Sequence, residues 1–242
     1  MGGLVAGISR GSNRLAFKRE ASRARYFWIF ILLGVALYII GWSYHAYRLL
    51  ALQLTGLGGV ALGDTRGDVR YKRGDPPFVY GTAQPGEATV RVYYTDRTKD
   101  PANALPEGAD VDSYATWSYA NSPSMDIRLD VTFDPKTGRA TKIDCIDRTD
   151  PPTFYCGIVA GIGIWDLEAR LAALLGQPTR EWIDAKSGVK TMEYGDIGAT
   201  FLLKQQRVYG ISVTGAQADR PIPMRRFLGY MAGTLWAIWI QS

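Results

Sequence analysis

The segment DIRLDVTF (residues 126–133), with the turn DPKTG (134–138) and the segment RATKIDC (139–145) after it, decides the predicted fold. Apolar and polar residues alternate in the first segment, which is the period of a strand with one buried face. Asp and Pro at the start of a turn, with Gly at its end, are typical of a tight reversal. We therefore predict an antiparallel hairpin here, preceded by a strand at 115–120.

The same order of elements returns closer to the C terminus. Strands are predicted at 190–194, 199–204 and 207–213, with a turn at 205–206. A short helix is predicted before each set of strands, and both helices end at a Gly-x-Pro sequence, where a helix stops and proline prevents its continuation. The pattern predicts an internal duplication: a first α+β repeat at 58–145, a linker at 146–157 and a second repeat at 158–215. The first repeat contains an insertion at 82–114, with one strand at 88–94.

The residues shared by the two repeats resemble a known family, the BamE (SmpA/OmlA) envelope-lipoprotein domain. That domain is similar in fold to the β-lactamase inhibitor protein, itself a tandem duplication, so the resemblance implies a binding domain without catalysis. The chain differs from those lipoproteins in lacking an N-terminal lipobox cysteine and in having a shorter first helix. The matching positions are Leu62, Gly63, Val69, Gly74, Pro76, Trp117, Tyr119, Phe133, Gly138 and Ile143, then Gly163, Gly176, Pro178, Tyr194, Phe201 and Ile211.

An uncharged apolar run, YFWIFILLGVALYIIGW (26–42), follows a basic tail at 1–25. The tail has six basic residues against the single Glu20, a net charge of +5 that equals the charge of the whole chain. Basic residues beside a membrane helix stay on the cytoplasmic side. We therefore predict a single-pass transmembrane helix at 26–54, in a bacterial inner membrane, with a cytoplasmic N terminus and a periplasmic main domain. A cleaved signal peptide is the alternative.

A second apolar stretch closes the chain at 224–242. Its small residues Gly229, Gly233 and Ala237 follow one another at intervals of four, a spacing that lets two helices approach closely. We predict a helix-packing interface at these three residues. Whether the helix spans the membrane, lies in it, docks on a partner or is buried as the last helix of the domain stays open.

Cys145 and Cys156 are the only cysteines, and a turn-rich segment containing Asp150, Pro151 and Pro152 separates them. In an oxidising compartment we expect a disulfide between them. The alternative is two unpaired, small apolar side chains.

Nothing in the sequence predicts an enzyme, a metal site or a cofactor. Ser9 lies in a Gly-x-Ser-x-Gly string, but no strand precedes it and the sole histidine, His45, is on the other side of the apolar run. The glycines at 56–61 are interpreted as a flexible linker. The acids near Glu107 are interpreted as solvated loop charges, and those between Asp144 and Asp150 as a polar linker. The neutral main domain gives no reason to expect nucleic acid or a small-molecule substrate.

Together these features predict an α+β fold with an N-terminal transmembrane helix, a duplicated helix plus antiparallel-meander domain and an apolar C-terminal helix. The predicted function is that of a non-catalytic, membrane-anchored accessory or assembly subunit. Its predicted partners are a lipid bilayer and a larger integral membrane protein complex, of envelope, respiratory or photosynthetic type. The alternative is a free periplasmic module of the binding or inhibitor type.

Overall fold

The computed structural model describes residues 28–44, 55–81, 90–120, 126–154 and 156–215. The chain divides between Tyr47 and Arg48 into two compact units. The first contains helix α1 (28–44). The basic tail at 1–25, the residues Ser9 and His45, and the predicted C-terminal helix with Gly229, Gly233 and Ala237 lie outside the described residues.

Helix α1 corrects the membrane predictions. Its described part, residues 28–44, is about 25 Å long at ~1.5 Å per residue, against a hydrocarbon layer of about 30 Å. In the described part of the chain, no helix combines the length and the apolar character needed to cross a membrane. This finding contradicts the predicted single-pass transmembrane helix at 26–54. It equally contradicts the inner-membrane location with a cytoplasmic N terminus and a periplasmic main domain.

The second unit is built on a nine-stranded antiparallel sheet. Among the described residues, a two-stranded hairpin and two α-helices accompany it, with short 3₁₀ helices at Pro101–Asn103 and Val111–Ser113. The elements in chain order are β1 (Gly56–Leu57), β2 (Val60–Ala61), α2 (Arg66–Arg73), β3 (Phe78–Gly81), β4 (Arg91–Tyr94), β5 (Thr116–Ala120), β6 (Ile127–Phe133), β7 (Ala140–Asp147), α3 (Glu168–Leu175), β8 (Arg180–Ile183), β9 (Lys190–Tyr194), β10 (Ala199–Lys204) and β11 (Arg207–Thr214). The strand order is β4-β3-β5-β6-β7-β11-β10-β9-β8.

This arrangement corrects the predicted fold class. The described residues form mostly antiparallel sheet, rather than an α+β fold made of a duplicated helix plus meander domain after a membrane helix. The last strands of the two predicted repeats, β7 and β11, pair with each other, so all nine strands belong to one sheet. The glycine-rich stretch interpreted as a flexible linker forms the hairpin β1–β2, in which the Gly58 N–H donates to the Cys156 carbonyl at 2.7 Å.

One face of the sheet forms the hydrophobic core. Residues directly opposite each other in neighbouring strands share a face, so the pairing register gives a continuous row across eight strands. Every member of this row is buried. From β4 to β9 the row is Tyr93, Val79, Trp117, Val131, Ile143, Val213, Ala199 and Tyr194.

Both helices of this unit contact that apolar face. Each helix ends at a glycine whose carbonyl accepts a hydrogen bond from a buried tyrosine of the sheet. The Tyr119 hydroxyl donates to Gly74 after α2, and the Tyr194 hydroxyl donates to Gly176 after α3, each at 3.1 Å. Two tyrosines thus fix the C-terminal ends of the two helices on the sheet in the same way.

The turns that enter the two helices also have matching contacts. In each turn an aspartate carboxylate accepts a hydrogen bond from the backbone amide of the residue three positions before it. Asp64 accepts from the Ala61 amide at 2.7 Å, and Asp166 accepts from the Gly163 amide at 2.8 Å. Before each aspartate stands a residue in the left-handed region, Gly63 at φ +86° or Trp165 at φ +75°. The positive φ suits glycine and strains tryptophan.

Contacts of its side chain hold Trp165 in that conformation. Its indole N–H donates to the Thr149 carbonyl at 3.2 Å, and the Arg207 guanidinium lies 5.1 Å from the ring centroid. The indole thereby ties the start of α3 to the segment that connects β7 with it.

Candidate protein-interaction face

The other face of the sheet carries a row of mainly polar residues, which we call the polar row. Because the register pairs each member with the next, they all lie on one face. The polar row starts at the β4 edge with two aromatic side chains and ends at the β8 edge with an arginine. Its members are Tyr94, Phe78, Ser118, Asp130, Asp144, Ser212, Thr200, Glu193 and Arg180.

Two carboxylates face each other at the centre of the polar row. Asp130 of β6 is directly opposite Asp144 of β7, an arrangement of like charges that destabilises a sheet. Each has a cation from its own strand: Arg128 Nε lies 3.0 Å from Asp130 Oδ2, and Lys142 Nζ lies 2.8 Å from Asp144 Oδ2. Alternation along the strands places both cations on this face as well.

The Asp130 side chain is only 10% exposed, whereas that of Lys142 is 47% exposed. The Ser118 hydroxyl donates to Asp130 Oδ1 at 2.5 Å. Arg128 Nε, although close to Asp130, has no partner with hydrogen-bond geometry. The centre of this face is therefore a buried acid in a hydrogen-bonded setting, surrounded by charges that reach the solvent.

Burial is the main influence on the pKa of Asp130 and of the nearby Tyr80. It raises the pKa of Asp130, against the lowering effects of the Ser118 hydrogen bond and the Arg128 charge, and Asp144 raises it further. The pKa of Tyr80, on β3 and separated from β6 by β5, is also raised, first by burial and then by the charge of Asp130. Ionised Asp130 thus destabilises the folded state, and groups with perturbed pKa values of this kind cluster at functional sites.

Aromatic side chains lie at both ends of the polar row. At the β4 edge the buried ring of Phe78, only 4% exposed, packs against that of Tyr94, with ring centroids 4.8 Å apart. At the β8 edge, Trp182 is 47% exposed, with the Arg180 guanidinium 5.8 Å from its ring centroid. Aromatic and arginine side chains are the types that contribute most binding energy at protein interfaces.

A second polar cluster lies in the connection after β7, where the sequence predicted a polar linker. Asp147 is fully buried at the end of β7. One carboxylate oxygen accepts from the Thr149 amide and hydroxyl at 2.9 and 2.5 Å, and the other from the amides of Thr153 and Phe154 at 2.8 and 2.7 Å. Burial opposes its ionisation, but these hydrogen bonds outweigh burial and lower the pKa of Asp147.

A disulfide closes the same connection. Cys145 and Cys156 are bonded, with Cα atoms 5.7 Å apart and both side chains buried. Beside it is a cavity of about 470 Å³. Residues from the connection and from the start of α3 line it, among them Phe154, Cys156, Ile158, Ile164, Asp166 and Arg170. Arg170 lies 3.3 Å from Asp166 and from the Gly161 carbonyl, so its charge is compensated within the chain.

The acids near residue 107, interpreted as solvated loop charges, have partners within the fold. Asp112 pairs with Arg70 of α2 at 2.7 Å, and the Asp110 side chain caps a 3₁₀ helix by accepting from the Asp112 amide at 2.9 Å. Across the described ranges, no group of three or more His, Cys, Asp or Glu side chains has the arrangement of a metal site.

The sequence did not single out Asp130 as a site residue, and Asp144 and Asp147 were assigned to a polar linker. The alternation in 126–133 already places Arg128 and Asp130 on the polar side of β6, so a signal for the cluster was present. The opposition of Asp130 and Asp144 depends on the hairpin register, which that alternation leaves undetermined. No protein family, curated protein or solved structure matches the chain.

Proposed function

We propose that this protein is a non-catalytic binding module, an accessory subunit that recognises another protein through the polar row. The observation that carries the proposal is the Asp130–Asp144 pair at the centre of the sheet. A pair of opposed carboxylates costs stability in the free protein, and this cost is offset when a partner places hydrogen-bond donors or a cation against it.

The charges and side chains around the pair favour binding of a partner protein over catalysis. Asp130 accepts from the Ser118 hydroxyl and lies beside Arg128, and Asp144 pairs with Lys142, but Arg128 Nε makes no hydrogen bond, so the charge of the pair is only partly compensated within the chain. The charges alternate in sign around the centre, and aromatic rings lie at both ends of the row. A partner surface of complementary sign gains specificity from such a pattern, while the exposed indole of Trp182 supplies contact area.

Two forms of this function stay open. A subunit held in an assembly uses the face permanently, whereas an inhibitor-type module uses it reversibly. The predicted integral-membrane nature of the assembly and its predicted contact with lipid stay predictions.

Site-specific photo-crosslinking in the cells that produce the protein tests the proposal. A photoreactive residue replaces Tyr80 or Lys142 on the polar face, and Tyr71 on α2, which is 93% exposed, serves as the control position. We expect one and the same protein to be cross-linked from positions 80 and 142, and not from 71. Equal adducts from all three positions, or none from 80 and 142, would contradict the proposal.

A second measurement separates binding from folding. Asp130→Asn removes the charge that burial disfavours and keeps the size of the side chain, so the variant is expected to fold at least as stably as the wild type. The same variant is expected to give weaker cross-linking at position 142. Unchanged cross-linking in a folded Asp130→Asn protein would show that the pair does not take part in binding.

A further inference from the structure

The outer strand β8 is exposed along its whole length. All four of its residues are exposed, and two of them are large and apolar: Trp182 is 47% and Ile183 66% exposed. Within the described residues, β8 pairs with β9 alone. An exposed apolar edge strand is a template on which another strand can pair.

The opposite end of the sheet is different. At the outer edge of β4, the Leu105 amide donates to the Tyr94 carbonyl at 3.0 Å, and residue 104 forms a bridge with residue 94. A loop of the same chain thus occupies part of that edge. The two ends of the sheet therefore differ in how well they are protected from further pairing.

The hairpin geometry determines which backbone groups of β8 point outward. The Asp184 amide donates to the Val189 carbonyl at 2.9 Å across the β8–β9 hairpin. Hydrogen bonding to one neighbour involves every second residue of an antiparallel strand, so Arg180 and Trp182 bond to β9. Glu181 and Ile183 then direct their N–H and C=O groups away from the sheet.

We propose that a second copy of this chain pairs with β8, antiparallel, about a two-fold axis through Trp182. In this register Glu181 exchanges both backbone hydrogen bonds with the partner's Ile183, and the symmetry repeats the exchange. Trp182 lies opposite the partner's Trp182 on one face. Arg180 lies opposite the partner's Asp184 on that same face, so opposite charges meet twice.

Charge distinguishes this register from the nearest alternative. A two-fold axis through Glu181 places two identical carboxylates directly opposite each other, which is unfavourable, and leaves Arg180 opposite an indole. The axis through Trp182 gives two ion pairs and buries two indoles against each other. An axis through Ile183 places Trp182 opposite the partner's Asp184 and forms no ion pair. The axis through Trp182 therefore gives the register in which the β8 edge is self-complementary, as a symmetric dimer contact requires.

Analytical ultracentrifugation of the full chain tests the self-pairing. A contact of one strand is small, so we expect a dimer that forms in the ~10–100 µM range. Ile183→Pro removes an outward N–H while leaving the bonds to β9 in place, and is expected to weaken dimerisation about 10-fold. Val90→Lys, which changes a 64% exposed apolar residue beside β4, is the matched control and should leave the mass distribution unchanged.

Disulfide trapping tests the register. Both native cysteines are bonded to each other, so an introduced cysteine is the reactive thiol. Under oxidation Trp182→Cys should form a covalent dimer, whereas Glu181→Cys, which faces the partner's Ile183, should not. A single monomeric mass at all concentrations, association that Ile183→Pro leaves intact, or equal trapping of both cysteine variants would overturn the proposal.

Discussion

Replacing Asp147 by Asn is expected to destabilise the protein by about 2 kcal/mol at neutral pH. The carboxylate accepts four hydrogen bonds, two at each oxygen. An amide keeps one accepting oxygen and turns its NH₂ toward the other pair of donors. If the NH₂ faces Thr149, the threonine hydroxyl can rotate to accept from it, and the Thr149 amide alone loses its partner. A buried donor without an acceptor costs about 1–3 kcal/mol.

The stabilisation that Asp147 provides depends on pH and is expected to decrease in acid. The pKa of Asp147 in the folded protein is below the ordinary value of 3.8, so its ionised form stabilises the fold above that pH. This contribution is lost as the pH falls through the folded-state pKa. The difference in unfolding free energy between the wild type and Asp147→Asn should therefore be full at pH 7 and shrink below about pH 4.

Urea unfolding followed by tryptophan fluorescence measures both quantities, because the Trp165 indole bonds to the same connection at Thr149. Asp150→Asn, an exposed acid three residues away, is the matched control and should change the unfolding free energy by less than about 0.5 kcal/mol. If Asp147→Asn is as stable as the wild type at pH 7, or if their difference is constant from pH 7 to pH 3, the four hydrogen bonds do not stabilise the fold as argued.

Three further predictions concern stability. Asp130→Asn should be at least as stable as the wild type at neutral pH. Because the pKa of Asp130 is raised, the unfolding free energy of the wild type should increase relative to that of the variant as the pH falls toward the ordinary value of 3.8, and a decrease would contradict the argument from burial. Replacing both Cys145 and Cys156 by Ala should cost about 3 kcal/mol through the loop that the disulfide closes, and the linked peptide should appear in a non-reduced digest analysed by mass spectrometry. Tyr119→Phe and Tyr194→Phe should each lower the unfolding free energy by about 1 kcal/mol in chemical denaturation, since each removes one hydrogen bond to a helix end; a loss from only one of them would show that the two contacts are not equivalent.

Local sequence patterns were enough to predict several strands. The predicted strands at 190–194 and 199–204 coincide with β9 and β10, and the turn at 134–138 correctly connects β6 with β7. These elements have alternating residues or strong turn residues, which act within a few positions of the chain. Strand β8 escaped prediction because both of its faces are exposed, so its sequence has no alternation to detect.

Features that depend on distant residues could not be predicted in this way. The pairing of β7 with β11 joins segments about 70 residues apart, and nothing in either segment specifies the other. Asp147 was assigned to a linker because its four donors come from a turn whose path the sequence does not reveal. The apolar run at 26–42 and the basic tail before it predicted a membrane span at 26–54, whereas no helix of the described residues, the stretch at 28–44 included, has the length and apolar character for one.

The ladder between β7 and β11, five residue pairs long, also bears on how the protein tolerates a break in its chain. The connection at 157–163 follows the disulfide-closed loop. The ladder pairs β7, which precedes this connection, with β11, which follows it. Val159, Ala160 and Ile162 of this connection are buried, so the tolerated cut lies between Gly157 and Ile158, where Ile158 is 43% exposed. It should leave two fragments, one ending just after Cys156 and one containing α3 and β8–β11, held by backbone pairing and by the Trp165–Thr149 hydrogen bond. The protein is thus suited to fragment complementation, with reassembly of the sheet as the event that restores the whole.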